Sequence, residues 1–146
     1  MFLNSGILKK SSPKKQKADF LLKFNRLVDL VNKSKRPVIL AGNGIRSQEA
    51  VHCLKRLVDR LKIPVLTTWK AIDIFAQDDE LFIGRPGAIG QRAANFAQQN
   101  SDLIITIGAR LDLGQVAYNY KNFARGAKKI IVDIDENEIR KISTRV

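Results

Sequence analysis

Arg36-Pro37-Val38-Ile39-Leu40-Ala41-Gly42-Asn43-Gly44 is the stretch on which the reading of this chain turns. Proline opens it, four apolar residues follow, and two glycines close it. A short apolar run bounded in this way suits a strand buried on both faces of a parallel sheet. Downstream, Ala50, Val51, Leu54, Leu57, Val58 and Leu61 fall on one helical face, and Ser47 stands where an N-cap belongs. Strand, glycine turn and helix together make the first half of a βαβ unit.

The same grammar recurs along the chain. Pro64-Val65-Leu66-Thr67-Thr68, Leu103 to Ile107 and Lys129 to Ile134 are further apolar runs of strand length. An amphipathic helix from Asp19, carrying Phe20, Leu21, Phe24, Leu27, Val28 and Val31, precedes the first strand. A long connection with Gly84, Gly87 and Gly90 leads to a third helix expected from Ile89, Ala93, Ala94, Phe96 and Ala97. Asp135 is expected to cap a last helix beginning near Glu136. Alternating strands and helices define an α/β domain with a parallel sheet flanked by helices. Right-handed crossovers place the strand C-termini at one edge.

Of the 146 residues, 45% are apolar, so a sizeable core is expected. The formal charge of +12 raises the question of a nucleic-acid partner, but Lys9, Lys10, Lys14, Lys15 and Lys17 crowd into residues 1–17. That stretch reads as a basic, irregular linker or tail before a domain at residues 18–146. The remaining charge is scattered over the body and is read as offering no obvious base-stacking platform. No run approaches a membrane span, and the N-terminus lacks the features of a signal peptide. The single cysteine, Cys53, excludes an internal disulfide; it is read as a buried small hydrophobe. A reducing cytoplasm is the expected setting.

Chemistry is expected at the turns that follow the strands, where open α/β sheets bind ligands. Gly42, Asn43 and Gly44 would let a phosphate approach backbone N–H groups; the alternative is a tight turn with no ligand. A dinucleotide fingerprint would need a third glycine and an acid after the second strand. Ser47 and Thr67-Thr68 stand there instead, which disfavours an ordinary NAD site. Arg110 offers a phosphate-gripping guanidinium or a surface ion pair with Asp112. Asp133 offers a carboxylate for ribose hydroxyls. His52 is the one histidine, so no histidine-based triad or metal centre is expected, and Lys70, Asp73 and Asp78 form no evident dyad. Binding is expected here, with no catalytic and no metal-ligating residue.

Taken in order, Arg36 to Gly44, Pro64 to Thr68, Gly84-Arg85-Pro86-Gly87-Ala88-Ile89-Gly90, Ser101 to Arg110 and Val132 to Ile139 resemble the central domain of thiamine-diphosphate enzymes. Arg92 to Asn100, Arg110-Leu111-Asp112 and Phe123-Ala124-Arg125 are similar to acetolactate-synthase-like members. The resemblance covers roughly residues 20–146. It implies a Rossmann-like, FAD/NAD-binding-type fold within a 2-oxo acid carboligase or decarboxylase. Thiamine diphosphate and magnesium would belong to N- and C-terminal domains absent from this chain, the latter carrying a Gly-Asp-Gly motif that does not occur here. The parent enzyme would be a homo-oligomer. Because such domains run on beyond the position of Val146, the resemblance implies truncation, and a chain not catalytic by itself. A stand-alone nucleotide-binding or regulatory domain is the alternative. FAD or ADP contacts carried over by position are Gly42, Asn43, Gly44, Thr67, Gly84, Arg85, Gly87, Arg110, Asp133 and Ile134. Two departures bear on FAD: Arg110-Leu111-Asp112-Leu113-Gly114 replaces an Arg-Phe-Asp-Asp-Arg pattern, and Arg85-Pro86 replaces a Met-His pair.

Overall fold

A computed structural model describes residues 2–4, 13–116 and 119–143. Six parallel strands form one sheet: β1 (Phe2–Asn4), β2 (Pro37–Ala41), β3 (Val65–Thr67), β4 (Phe82–Gly84), β5 (Leu103–Ile107) and β6 (Lys128–Asp133). Their spatial order is β1-β6-β5-β2-β3-β4. From β2 the chain steps outward through β3 to β4, then returns to the other side of β2 as β5 and continues to β6. The order reverses between β2 and β5, and a doubly wound sheet opens its ligand crevice at that point.

Helices cover both faces. α1 (Pro13–Lys33) and α2 (Gln48–Leu61) lie on one, and α3 (Arg92–Asn100), the short α4 (Leu113–Val116) and α5 (Glu136–Ser143) on the other. Strand residues divide by alternation. Ile39, Ala41, Val65, Leu103, Ile105 and Ile130 meet Leu54 and Val58 of α2, whereas Val38, Leu40, Leu66, Ile104 and Ile131 meet Ala94, Val116 and Ile139. Ile39, Leu40, Leu66, Ile104 and Ile130 are wholly buried. Each such side chain contributes about 1.5–3 kcal/mol relative to an exposed one. Apolar runs without a polar alternate thus become central strands, as the sequence pattern requires.

At the N-terminal end of the sheet, Asp102 fastens the turn before β2. Its carboxylate accepts the N–H groups of Lys35 at 2.7 Å and Arg36 at 2.9 Å. Burial alone would raise its pKa, but these two bonds and the Arg36 charge outweigh burial and hold it below the ordinary value.

Four expectations are corrected. Residues 1–17 are not irregular throughout, because Phe2–Asn4 pairs in parallel with β6 and α1 begins at Pro13. Proline is well tolerated at the first helical position, and lysine is a good helix former, so the helix runs across the expected boundary at residue 17. Ile89 belongs to a turn and is 82% exposed; α3 starts at Arg92, with Gln91 as its N-cap residue. Cys53 is exposed, since Leu54 and Val58 take the inward face of α2. Phe20, Leu21, Phe24 and Val28 of α1 are also exposed, and only Leu27, Leu30 and Val31 reach the core.

Candidate functional site

The turns after β2 and β5 meet at the switch point. Gly42 N–H donates to Ile107 O and Gly44 N–H to Gly108 O, both at 2.9 Å. A methyl group built on Gly42 would stand 2.2 Å from Gly108 O and 2.3 Å from Ala109 Cα. Backbone lies on backbone here, and only a residue without Cβ permits it. Gly108 itself has a φ of +55°, the left-handed region. The N–H groups of Gly42 and Gly44 are therefore committed to the neighbouring turn. A 3₁₀ turn over Asn43–Ile45 then separates this pair from α2, whose N-terminus is capped by Ser47 Oγ accepting from Ala50 N–H at 3.2 Å.

Sequence reasoning did not single out Arg46. Its guanidinium donates to Asn43 Oδ1 at 2.7 Å, to Asp73 Oδ2 and Oδ1 at 2.7 and 2.6 Å, and to Lys70 O at 2.7 Å. The two-pronged pairing with a carboxylate fixes distance and orientation together. It ties the loop after β3 to the turn after β2. The Arg46 hydrogen bond, chiefly, holds the Asp73 carboxyl down to about 2, below the ordinary 3.8. A pair 27 residues apart follows no sequence spacing rule, and the sole signal was an unpaired acid in that connection. Thr67, at the end of β3, is fully buried, and its Oγ1 has no partner among the described residues.

The turn after β4 is held differently. Gly84 and Gly87 have φ values of +126° and +141°. Arg85 N–H donates to Gln91 Oε1 at 2.8 Å, and the Arg85 guanidinium lies 5.8 Å from the centre of the Phe82 ring. Asn95 clamps Gly87 twice: Oδ1 accepts its N–H at 3.0 Å and Nδ2 donates to its carbonyl at 3.1 Å. Ala88 N–H donates to Gly114 O at 2.9 Å, joining this turn to α4.

Arg110, after β5, is exposed and pairs with Glu138 of α5 (Nε to Oε1, 3.3 Å), not with Asp112. Asp112 instead stabilises the start of α4 through the N–H of Gln115. Asp133 ends β6 and accepts Asp135 N–H at 3.0 Å, while Asp135 Oδ1 caps α5 through Asn137 N–H at 2.9 Å. Ile134 is 77% exposed. Gly42, Asn43, Gly44, Thr67, Gly84, Arg85, Gly87, Arg110, Asp133 and Ile134 thus all follow or end strands along the C-terminal edge of the sheet. Among the described residues, no group of three His, Cys, Asp or Glu side chains comes together, and no helix is long and apolar enough to cross a membrane.

A doubly wound sheet with glycine turns at its switch point places this chain among Rossmann-like α/β domains. Residues 24–146 match the family described as thiamine pyrophosphate enzyme, central domain, and the chain belongs to that family. It is 40% identical over 120 residues to a probable acetolactate synthase large subunit of Methanocaldococcus jannaschii, covering 82% of this chain and 20% of that protein. An acetolactate synthase large subunit of Corynebacterium glutamicum is 39% identical over 119 residues, covering 82% and 19%. The mitochondrial acetolactate synthase catalytic subunit of Saccharomyces cerevisiae is 37% identical over 128 residues, covering 87% and 18%. The chain spans about a fifth of the length of these relatives.

Proposed function

We propose that this chain is the central, nucleotide-binding scaffold of an acetolactate-synthase-like carboligase or decarboxylase. The reaction itself would be carried by flanking N- and C-terminal domains, within a homo-oligomer, in the reducing cytoplasm. Thiamine diphosphate, anchored through magnesium in those flanking domains, would supply the chemistry for making or breaking the carbon–carbon bond of a 2-oxo acid. The observation that carries the reading is the strand order, which puts every candidate contact on one edge around a β2–β5 switch point.

FAD or ADP is the ligand class that this edge suits, within limits set by its hydrogen bonds. Gly42 and Gly44 offer a smooth backbone surface, but their N–H groups already serve Ile107 and Gly108. A diphosphate would therefore be held by the exposed Arg110, ribose hydroxyls by Asp133 on the β6 side, and Asn43 would stand on the β2 side. The Thr67 hydroxyl is enclosed and would act by packing. Gly84, Arg85 and Gly87 would extend the contact surface toward β4, and Ile134 would offer an apolar rest for a ring.

The test is calorimetric titration of the chain with ADP and FAD, together with a visible spectrum of the purified protein. One-to-one binding is expected, weakened about tenfold in Arg110→Ala, the effect of losing one charge-assisted contact. Failure of both ligands to bind removes the nucleotide half of the proposal and leaves a scaffold.

A further inference from the structure

α1 and α2 lie on one face of the sheet, and the flanks they turn toward each other are apolar and open. Both helices lead into strands of a parallel sheet, so both run from its C-terminal edge to its N-terminal edge. In α2, Leu54 and Val58 point inward, and Lys55 reaches over the Phe75 ring, which stacks on Phe82 of β4. The Lys55 flank of α2 therefore faces β4. Leu57 and Leu61, each three residues beyond an inward one, stand on the opposite flank and face the β5 side. That side belongs to α1, because α2 spans the crossover from β2 to β3. Phe24, Leu27 and Val28 of α1 repeat the spacing of Val51, Leu54 and Lys55 of α2. With Leu27 turned to the core, Phe24 and Val28 point toward α2.

These flanks are far from filled. Phe20 and Phe24 stack with ring centres 6.2 Å apart, yet they are 55% and 46% exposed. Leu57 and Leu61 are 41% and 40% exposed. Apolar residues scattered singly over a surface need no explanation, whereas two rings and several aliphatic side chains on facing flanks mark an interaction site.

Charge decides among the occupants. α1 holds six lysine and arginine residues against two aspartates, and Asp19 is already paired with Lys23 at 2.7 Å. α2 holds three against two, with Arg60 exposed on the flank of Leu57. A second copy, itself +12, would bring like charges together, and that is costly at an interface. An anionic bilayer would first meet the exposed Asn25, Asp29 and Asn32, which form the outermost line of α1. A helix with acidic residues beside an apolar stripe meets neither obstacle. Two helices side by side also offer a groove for a third, anchored at i, i+3, i+4 and i+7.

We propose that the α1–α2 face docks an acidic amphipathic helix of a partner protein. Its apolar stripe would lie between Phe24 and Leu57, with its carboxylates toward Lys17 and Arg60. This face is separate from the strand-end edge, so the proposal stands whether or not that edge takes a nucleotide.

The probe is a fluorescein-labelled helical peptide of about 15 residues, with leucine at i, i+3, i+4 and i+7 and glutamate elsewhere. Anisotropy during titration with the full chain should rise saturably. Lysine in place of the glutamates, or serine in place of the leucines, should weaken binding about tenfold or more. In the chain, Phe24→Ser/Leu57→Ser should weaken it about tenfold. Should that variant not fold, the exposed pair Lys17→Glu/Arg60→Glu decides, and it should reverse the preference between glutamate and lysine peptides. Equal binding of the two peptides, or a preference that the charge reversal leaves unchanged, would overturn the proposal. So would a dimer of the free chain in sedimentation that Phe24→Ser makes monomeric, which identifies a second copy as the occupant. Binding to phosphatidylglycerol vesicles without binding to the glutamate peptide would overturn it in favour of a bilayer.

Discussion

The turns after β2 and β5 and the turn after β4 carry the same glycine-rich signature but hold their shapes by different means. At the switch point, Gly42 and Gly44 lie directly on Gly108 and Ala109, backbone on backbone. In the β4 turn, the Gln91 and Asn95 side chains share the holding with main-chain bonds such as Ala88 N–H to Gly114 O, and at Gly84 it is the Gln91 side chain that lies closest. Contact of the first kind has no slack, because main chain cannot rotate away. The second kind can adjust by rotamer changes. Under the proposed function, ligand position would be set at β2–β5 and accommodation would fall to the Gln91 side chain beside Gly84.

Gly42→Ala breaks the comparison most severely, since the new Cβ would meet main-chain atoms at 2.2 and 2.3 Å. A loss of about 3 kcal/mol or more is expected in urea unfolding, at the upper end for overpacking. Gly84→Ala should cost less, about 1–3 kcal/mol: its Cβ would meet the movable end of Gln91, but the φ of +126° remains strained for alanine. If the two variants are equally destabilised, the distinction between the turns fails. Asn95→Leu should cost about 1–2 kcal/mol by leaving Gly87 without its amide clamp, readable as a lower unfolding midpoint.

Smallest is the effect of Arg46→Met. Global stability should hardly move, because exposed ion pairs contribute little. Amide exchange at Ala71 and Ile74, in the loop that Arg46 holds, should quicken. The same loosening should follow from acid. The Asp73 carboxyl titrates at about 2 when folded against 3.8 ordinarily, so the clamp is intact above about pH 4 and is lost as pH falls toward 2. Protection factors in this loop, corrected for the intrinsic pH dependence of exchange, that are unchanged between pH 5 and pH 1.5 would contradict it.

Much of this was legible in the residues. Val38–Ala41, Leu103–Ile107 and the strand from Lys129 announced themselves because central strands buried on both faces need unbroken apolar runs. Ser47 and Asp135 cap their helices as expected from residue type and place. Phe2–Asn4, Phe82–Gly84 and Leu113–Val116 were not legible: at three or four residues they show no period. The candidate edge could be read because each strand end is a local feature. The partners of Arg46 and Arg110 could not, because they meet only when distant segments pack.

Nucleotide binding at the β2–β5 edge, as proposed, can be read from backbone chemical shifts during titration with ADP. Changes should concentrate at Gly42, Asn43, Gly44, Arg110 and Asp133 and be strongly reduced in Arg110→Ala. Saturable changes confined to another part of the surface, or none at those five residues, would contradict it.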